Sequence, residues 1–358
     1  TLDGLSSGYN IDWNISVDEI FNAMMGFEEA EVREMFRYYQ QNDMLKGDVE
    51  AMITEMKPWY DNYCFARMSL NDDRVFNCDM TLYYLNYQVQ RGSSPEEMVD
   101  KNIRTDYSKL KMLARIDRDS VQEGDRMSTI EKIAAEGDIF VDLHTSFPAE
   151  RITDIDNFRS LLYYYGLLTM CGTRGDLIKM SIPNNCVREQ YFGFLRDYYQ
   201  KYSSIDLHYL NVMLTDMAYD GRWKPFFESV AQAYRENSAV RDAMEGERNL
   251  QGFLKAYLAL ASYYLVEPEL EMNYGYCDFF LLPDKKRYPD VKHSYILELK
   301  YATRTATDAE LEVQALEGRK QLLRYSEDKI VRCLSEGTTL HRLLLQFRGW
   351  DLVRCEEV

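Results

Sequence analysis

Asp278, Glu298 and Lys300 are the residues of this chain whose types and spacing most directly suit chemistry. Two carboxylates beside an ammonium can hold a hard cation with a phosphate next to it, the carboxylates supplying oxygen ligands and the ammonium balancing phosphoryl charge. The stretch that carries them reads Tyr276-Cys277-Asp278-Phe279-Phe280-Leu281-Leu282-Pro283, then Asp284-Lys285-Lys286-Arg287, then Tyr295-Ile296-Leu297-Glu298-Leu299-Lys300. Both apolar runs read as strands and the charged tetrad as a connection. Side chains alternate across a strand, so Glu298 and Lys300 share one face while Leu297 and Leu299 point the other way. Asp278 is expected on the neighbouring strand. The competing reading is a pair of half-buried strands whose charged residues face water.

The elements expected to position these residues follow an α/β pattern from about 205 to the end. Helical faces run through Leu207 to Met217 and Trp223 to Tyr234. A long, largely apolar helix is expected over Glu247 to Tyr264, burying Leu250, Phe253, Leu254, Tyr257, Leu258 and Leu260. After the two strands comes a charged helix, Asp308 to Tyr325, on which Gln321 and Tyr325 stand four apart and so on one face. Leu340 to Phe347 reads as a late strand, with Leu352-Val353 as another.

Upstream, residues 1–105 read as mostly helical. Ser16-Val17-Asp18-Glu19 has the side chains of a capping box, followed by an apolar stripe (Ile20, Phe21, Met24, Met25) that Gly26 ends. A second helix follows, with Val32, Met35, Phe36 and Tyr39 at helical spacing. Then come the aromatic turn Trp59-Tyr60-Asp61-Asn62-Tyr63-Cys64-Phe65, a short strand at Arg74 to Asn77 and a helix over Thr81 to Tyr87. Residues 106–204 read as a helix-and-hairpin module: a helix over Asp154 to Tyr165, strands Leu167 to Cys171 and Leu177 to Ile182 about a turn at Gly172 to Asp176, and another helix after Pro183. Helices followed by a hairpin suggest a winged-helix-like unit, read here as a packing module because its wing carries few basic residues.

The Asp278 and Glu298-x-Lys300 pattern resembles the PD-(D/E)XK nuclease superfamily. That resemblance implies an additional acidic residue at Glu247 on the preceding helix, and Glu271, Asn273 and Gly275 lead into Asp278, the glycine allowing close backbone approach. Gln321-x-x-x-Tyr325 resembles the signature of the RecB-like branch. Over nearly the whole chain the sequence looks like a prokaryotic family in which an AAA-ATPase-like module is fused to a C-terminal PD-(D/E)XK domain. Ser16 to Glu34 is similar to the family's post-core segment. Trp59 to Phe65 and Val75-Phe76-Asn77 match its WYDGY.F and VYNP blocks, and Phe158 to Gly166 with Ile182-Pro183-Asn184 matches another. Cys78 departs from the usual Pro, and Tyr276-Cys277 stands where Arg-Tyr is more common, which removes a basic residue beside Asp278. No Gly-x-x-x-x-Gly-Lys-Ser/Thr occurs, so phosphate binding by a P-loop is not expected of this chain. The first residue is Thr, and the resemblance implies that the P-loop lies in a part upstream.

The expected fold is therefore α+β and multidomain: a helical ATPase-lid-like region at 1–105, a winged-helix-like module at 106–204, and at 205–358 a PD-(D/E)XK nuclease-like α/β domain with a mixed central sheet. The resemblance implies metal-dependent phosphodiester hydrolysis. Asp278 and Glu298 would hold Mg²⁺ or Mn²⁺, with the Leu299 carbonyl as a further ligand. Lys300 would orient water or stabilise phosphate charge, Glu247 would act from outside the first ring of ligands, and Gln321 and Tyr325 would orient substrate. Nucleic acid is the implied partner, DNA favoured over RNA, and an ATPase ancestry points to self-association as a homo-oligomer. The alternative is an inactive nuclease fold serving as an interaction scaffold.

Composition bounds these readings. The 358 residues carry a formal net charge of -17, which argues against nonspecific nucleic-acid binding by the whole surface but leaves room for a local basic groove. With 28 Tyr and 16 Phe, disorder is not the default. The seven cysteines are scattered without a CxxC pair, and the four histidines do not gather near them. A disulfide framework and a structural zinc site are thus unexpected, and a cytoplasmic setting fits. No apolar run is long enough to span a membrane, and no secretory signal opens the chain.

Overall fold

The run that ends in Lys300 becomes the central strand of a five-stranded mixed sheet in the computed structural model, which describes residues 2–3, 15–72, 74–100, 107–114, 122–148, 151–152, 154–200, 205–236, 246–272 and 275–358. Two compact units are formed, Thr1–Ile133 with Gly137–Phe194, and Ala134–Glu136 with Leu195–Val358.

In the second unit, Leu207–Asp220 (α1), Lys224–Glu236 (α2) and Glu247–Leu258 (α3) lead into Tyr264–Met272 (β1), Gly275–Pro283 (β2) and His293–Ala302 (β3). Asp308–Ser326 (α4), Lys329–Leu334 (α5), Thr339–Arg348 (β4) and Asp351–Glu357 (β5) complete it. The strand order is β5-β4-β3-β2-β1. β3 and β4 pair in parallel, and the other neighbours pair antiparallel. A parallel pair needs a crossover, which α4 and α5 supply. The central position of β3 explains its near-continuous apolar run, since both of its faces are buried from Ser294 to Leu299.

α4 begins with a capping box, Thr307 accepting from the Glu310 N–H while Glu310 accepts from the Thr307 N–H. Its buried side (Ala315, Leu322, Tyr325) packs on Cys277, Phe280, Ile296 and Leu344. Aromatic rings gather around α3, where Phe253 lies 5.1 Å from Tyr234 and 4.9 Å from Tyr257.

One expected element changes type here. The helix expected through Tyr264 stops at Leu258, and Tyr264–Met272 is a strand. Apolar residues run on past Leu258, so helical periodicity alone does not reveal the stop. Pro268 sits inside β1, which is at the sheet edge, where a missing N–H costs no central ladder bond.

In the first unit, Glu29–Gln41, Val49–Tyr60 and Cys78–Arg91 pack Val32, Phe36, Ile53, Met56, Tyr60 and Tyr84 into one core. The helix expected from Ser16 is only a 3₁₀ turn, Glu19–Phe21, capped by Asp18, whose carboxylate accepts the Ile20 N–H at 3.0 Å. Ile20, Met24 and Met25 remain exposed. The chain is drawn off the helical path because the Asn22 side chain accepts the N–H groups of Phe65 and Ala66 at 2.7 and 3.0 Å. The hairpin is Thr169–Arg174 and Leu177–Ser181, so its turn is Gly175-Asp176 rather than the longer one expected, with Gly175 at φ +63°. Asp138–Val141 adds a third strand beside Leu177–Ser181.

The aromatic block and the hairpin module are hydrogen-bonded together. Asn62 sits at φ +84°, and its amide donates to the Pro183 carbonyl at 2.9 Å. The Tyr163 hydroxyl donates to the Phe65 carbonyl at 2.6 Å.

Candidate active site

Asp278 stands on β2 just past the point where the ladder to β3 ends, at Leu297↔Phe279, while the flanking Phe279 and Cys277 pair with β1 in one continuous register. One carboxylate oxygen, Oδ2, accepts the backbone N–H of Leu299 at 2.7 Å. The other, Oδ1, accepts from the Gln251 amide on α3 at 3.1 Å. The aspartate is thus tied to the central strand and to a helix at once.

Glu298 lies one step along β3, only 3% exposed, and its Oε1 accepts from the Lys300 ammonium at 2.8 Å. The alternation expected of the strand therefore holds for this pair, while the reading in which their charges face water does not. α4 crosses above them at Gly318. A Cβ there would come within 2.7 Å of Leu344 Cδ1, 3.4 Å of Lys300 Cε and 3.6 Å of Glu298 Cγ. One and two turns further along the same side of α4 stand Gln321 and Tyr325, the latter 2% exposed and close enough to Glu298 for its hydroxyl to feel that charge.

Two buried oxygens near this convergence, Glu298 Oε2 and Gln321 Oε1, have no hydrogen-bond partner among the described residues. Stripping an ionised carboxylate of water costs on the order of several kcal/mol unless a counter-charge or hydrogen bonds replace the water. Lys300 covers one oxygen of Glu298 and leaves the other open. The electrostatics follow. Burial, then the neighbouring Asp278 charge, push Glu298 up to about 7 against the pull of Lys300. Burial also pushes Asp278 up to about 6, opposed by the Leu299 N–H and by Lys300 and Lys255, and reinforced by Glu247. Burial alone would lower Lys300, but attraction to Glu298 outweighs it and holds the ammonium charged. Glu247 reaches water at the start of α3, yet the protein around it still raises its carboxyl, with Lys300 pulling the other way.

Of the residues singled out in the sequence, Asp278, Glu298 and Lys300 are brought together directly, and Glu247 joins them through charge. Leu299 takes part through its N–H, which the sequence reading did not foresee. Gln321 and Tyr325 share the side of α4 that carries Gly318. Asn273 lies outside the described residues, and Glu271 is described only as backbone in β1. Two contributors were missed. Gln251 follows Glu247 by four positions, and Gly318 precedes Gln321 by three inside a 19-residue helix, where a glycine is costly without a packing reason. Those two spacings were the available signals.

Residues 245–357 match the family model of the PD-(D/E)XK nuclease superfamily. The PD-(D/E)XK match spans α3 to β5 and so contains every residue of the site. No curated protein matches the chain. Nucleases of this superfamily generally use divalent metal ions. The residues present fit such an ion, with two converging carboxylates, one of them with a buried oxygen that has no partner among the described residues. No group of three or more His, Cys, Asp or Glu among the described residues is placed to enclose a metal. A site with few protein ligands suits Mg²⁺ better than an all-protein cage, because Mg²⁺ keeps several of its waters.

Proposed function

We propose that the matched domain hydrolyses phosphodiester bonds of nucleic acid with a divalent ion, Mg²⁺ or Mn²⁺, and with DNA favoured over RNA. The observation that carries this reading is the convergence of Asp278, Glu298 and Lys300, with Glu298 Oε2 unpartnered among the described residues. Asp278 and Glu298 would hold the ion, with the Leu299 carbonyl as a third donor. When bound, such an ion supplies Lewis-acid polarisation of a phosphoryl oxygen and a more acidic water. Lys300 holds its proton, orients the attacking water and balances charge developing on the phosphate. Glu247 acts from the rim, and Gln321 and the buried Tyr325 orient the substrate or the ligating carboxylates. The first unit is read as the lid side and winged-helix-like part of an AAA-ATPase-like fusion, consistent with the bonding of the Trp59–Phe65 block to Pro183 and Tyr163. Cytoplasmic location and self-association belong to the same proposal. No helix among the described residues is long and apolar enough to cross a membrane.

The test is cleavage of single- and double-stranded DNA and RNA with Mg²⁺ or Mn²⁺ by the wild type, Asp278→Ala and Glu298→Ala. Loss of cleavage by a hundredfold or more in both variants is expected. Equal cleavage by all three proteins would refute these assignments. The scaffold reading is favoured by the net charge of -17, and wild-type protein that binds nucleic acid but never cleaves it would establish that reading instead.

A further inference from the structure

Glu247, Gln251 and Lys255 fall at i, i+4 and i+8 on α3, hence on one side of the helix. From Leu250 to Leu258 every other residue is apolar or glycine, and although Arg248 and Asn249 add polar groups in the first turn, these three form a polar stripe along one side of the helix. All three act on the same carboxylate. Gln251 donates to Asp278 Oδ1 at 3.1 Å, while Glu247 and Lys255 bear on Asp278 through charge, in opposite senses. Lys255 is 2% exposed, donates to the backbone carbonyl of Ala135 and lies 5.8 Å from the centre of the Phe279 ring, so its charge is fixed in place beside β2.

We infer that Gln251 is a positioning residue that acts through Asp278, holding this carboxylate in the orientation a divalent ion requires; the inference rests on the divalent-ion reading of the site. A carboxylate held at one oxygen can still turn about its last torsion. Held at both, by the Gln251 amide and the Leu299 N–H, it cannot, and its remaining lone pairs keep a set direction. A neutral donor suits this task better than Lys or Arg, because it orients the carboxylate without adding a charge that repels a cation. The polar stripe thus divides its labour, Gln251 giving orientation while the opposed charges of Glu247 and Lys255 offset one another.

The experiment is Mn²⁺ binding to the full chain by calorimetry, as a double-mutant cycle of Gln251→Leu and Asp278→Asn. Leu is a good helix former of similar size at this half-buried position, and Gln251→Asn, which withdraws the amide by one methylene, serves as a second variant. The expected loss of Mn²⁺ affinity is about tenfold to a hundredfold for Gln251→Leu, the range for partners that orient a ligand. In the Asp278→Asn background the same substitution should cost nothing further. Retention of affinity within about threefold by both Gln251 variants would overturn the inference, as would an equal loss in both backgrounds, the mark of a merely structural residue. Failure of the underlying site reading looks different: either the wild type binds no Mn²⁺ at millimolar concentration, or Asp278→Asn binds it as tightly as the wild type, and the inference then falls with it.

Discussion

Glu298 is a carboxylate in surroundings that favour its neutral form, and this has measurable consequences. Its value near 7 and that of Asp278 near 6 lie above the ordinary 4.5 and 3.8. At these two sites the folded, metal-free protein therefore holds more protons than the unfolded chain does between about pH 4 and pH 7. That contribution to stability is fully present below about pH 4 and is lost as pH rises through the two folded-state values. Metal-free wild type should accordingly lose melting temperature from pH 5 to pH 7.5 relative to an Asp278→Asn/Glu298→Gln variant. A divalent ion needs the ionised carboxylates, so its affinity should rise over the same interval. Thermal melts should show a larger Mn²⁺-induced increase in Tm at pH 7.5 than at pH 5.5. A rise that is the same at both values would contradict the assignment of Asp278 and Glu298 as ligands.

Among the elements, α4 and the two ends of β3 have separable jobs. Gly318 lets α4 lie close over Lys300 and Glu298. In Gly318→Ala the Leu344 methyl group can give way, and the gain in helix propensity of roughly 0.5–1 kcal/mol offsets the crowding, so little change in stability is expected. Gly318→Leu would overpack the same contact, costing about 1–3 kcal/mol by denaturant melts and weakening Mn²⁺ binding by displacing Lys300 and Glu298. At the other end of β3, His293 bonds to His341 at 2.9 Å, and His341 bonds to Glu357 at 2.7 Å while stacking on Tyr295. That chain ties β3, β4 and β5 together several residues from the carboxylates. His341→Leu should cost about 1–3 kcal/mol of stability through unmade polar bonds while leaving Mn²⁺ affinity intact. Loss of both would mean that the two ends of the strand are not independent.

At the scale of the whole molecule, the acidic balance and the division of the chain are what matter. A surface with net charge -17 repels polyanions, so nucleic-acid contact must come from a few local cations. Binding should then show a shallow dependence of log affinity on log salt, corresponding to a small number of phosphate contacts. The boundary proposed near residue 205 can be tested with two fragments. Tyr199 is fully buried with its ring 4.8 Å from Phe253, and Arg196 donates to the Ala256 carbonyl at 2.9 Å. A fragment of 205–358 lacks both residues and should be less stable than one of 185–358 by about 3–5 kcal/mol, the scale for deleting a buried aromatic side chain. Equal melting of the two fragments would support a boundary at 205.

What the sequence by itself determined is what depends on local periodicity and residue type. The strand alternation that puts Glu298 beside Lys300, the apolar run that makes β3 a central strand, and the helical spacing of Gln321 and Tyr325 are all properties of short segments. The stop of α3 at Leu258 was not legible, because apolar residues continue beyond it and the edge position that tolerates Pro268 is a property of the sheet. The helix expected at Ser16 failed for a similar reason, since Asn22 is claimed by the N–H groups of Phe65 and Ala66, more than forty residues away. Only the tertiary structure decided how the site is held. Gln251 reaches Asp278 from another element, Leu299 gives that aspartate a backbone N–H where the ladder ends, and Gly318 opens room for the pair on β3. Contacts between segments distant in sequence leave no periodic trace in either one, and the burial that raises both carboxylates exists only once those segments have packed.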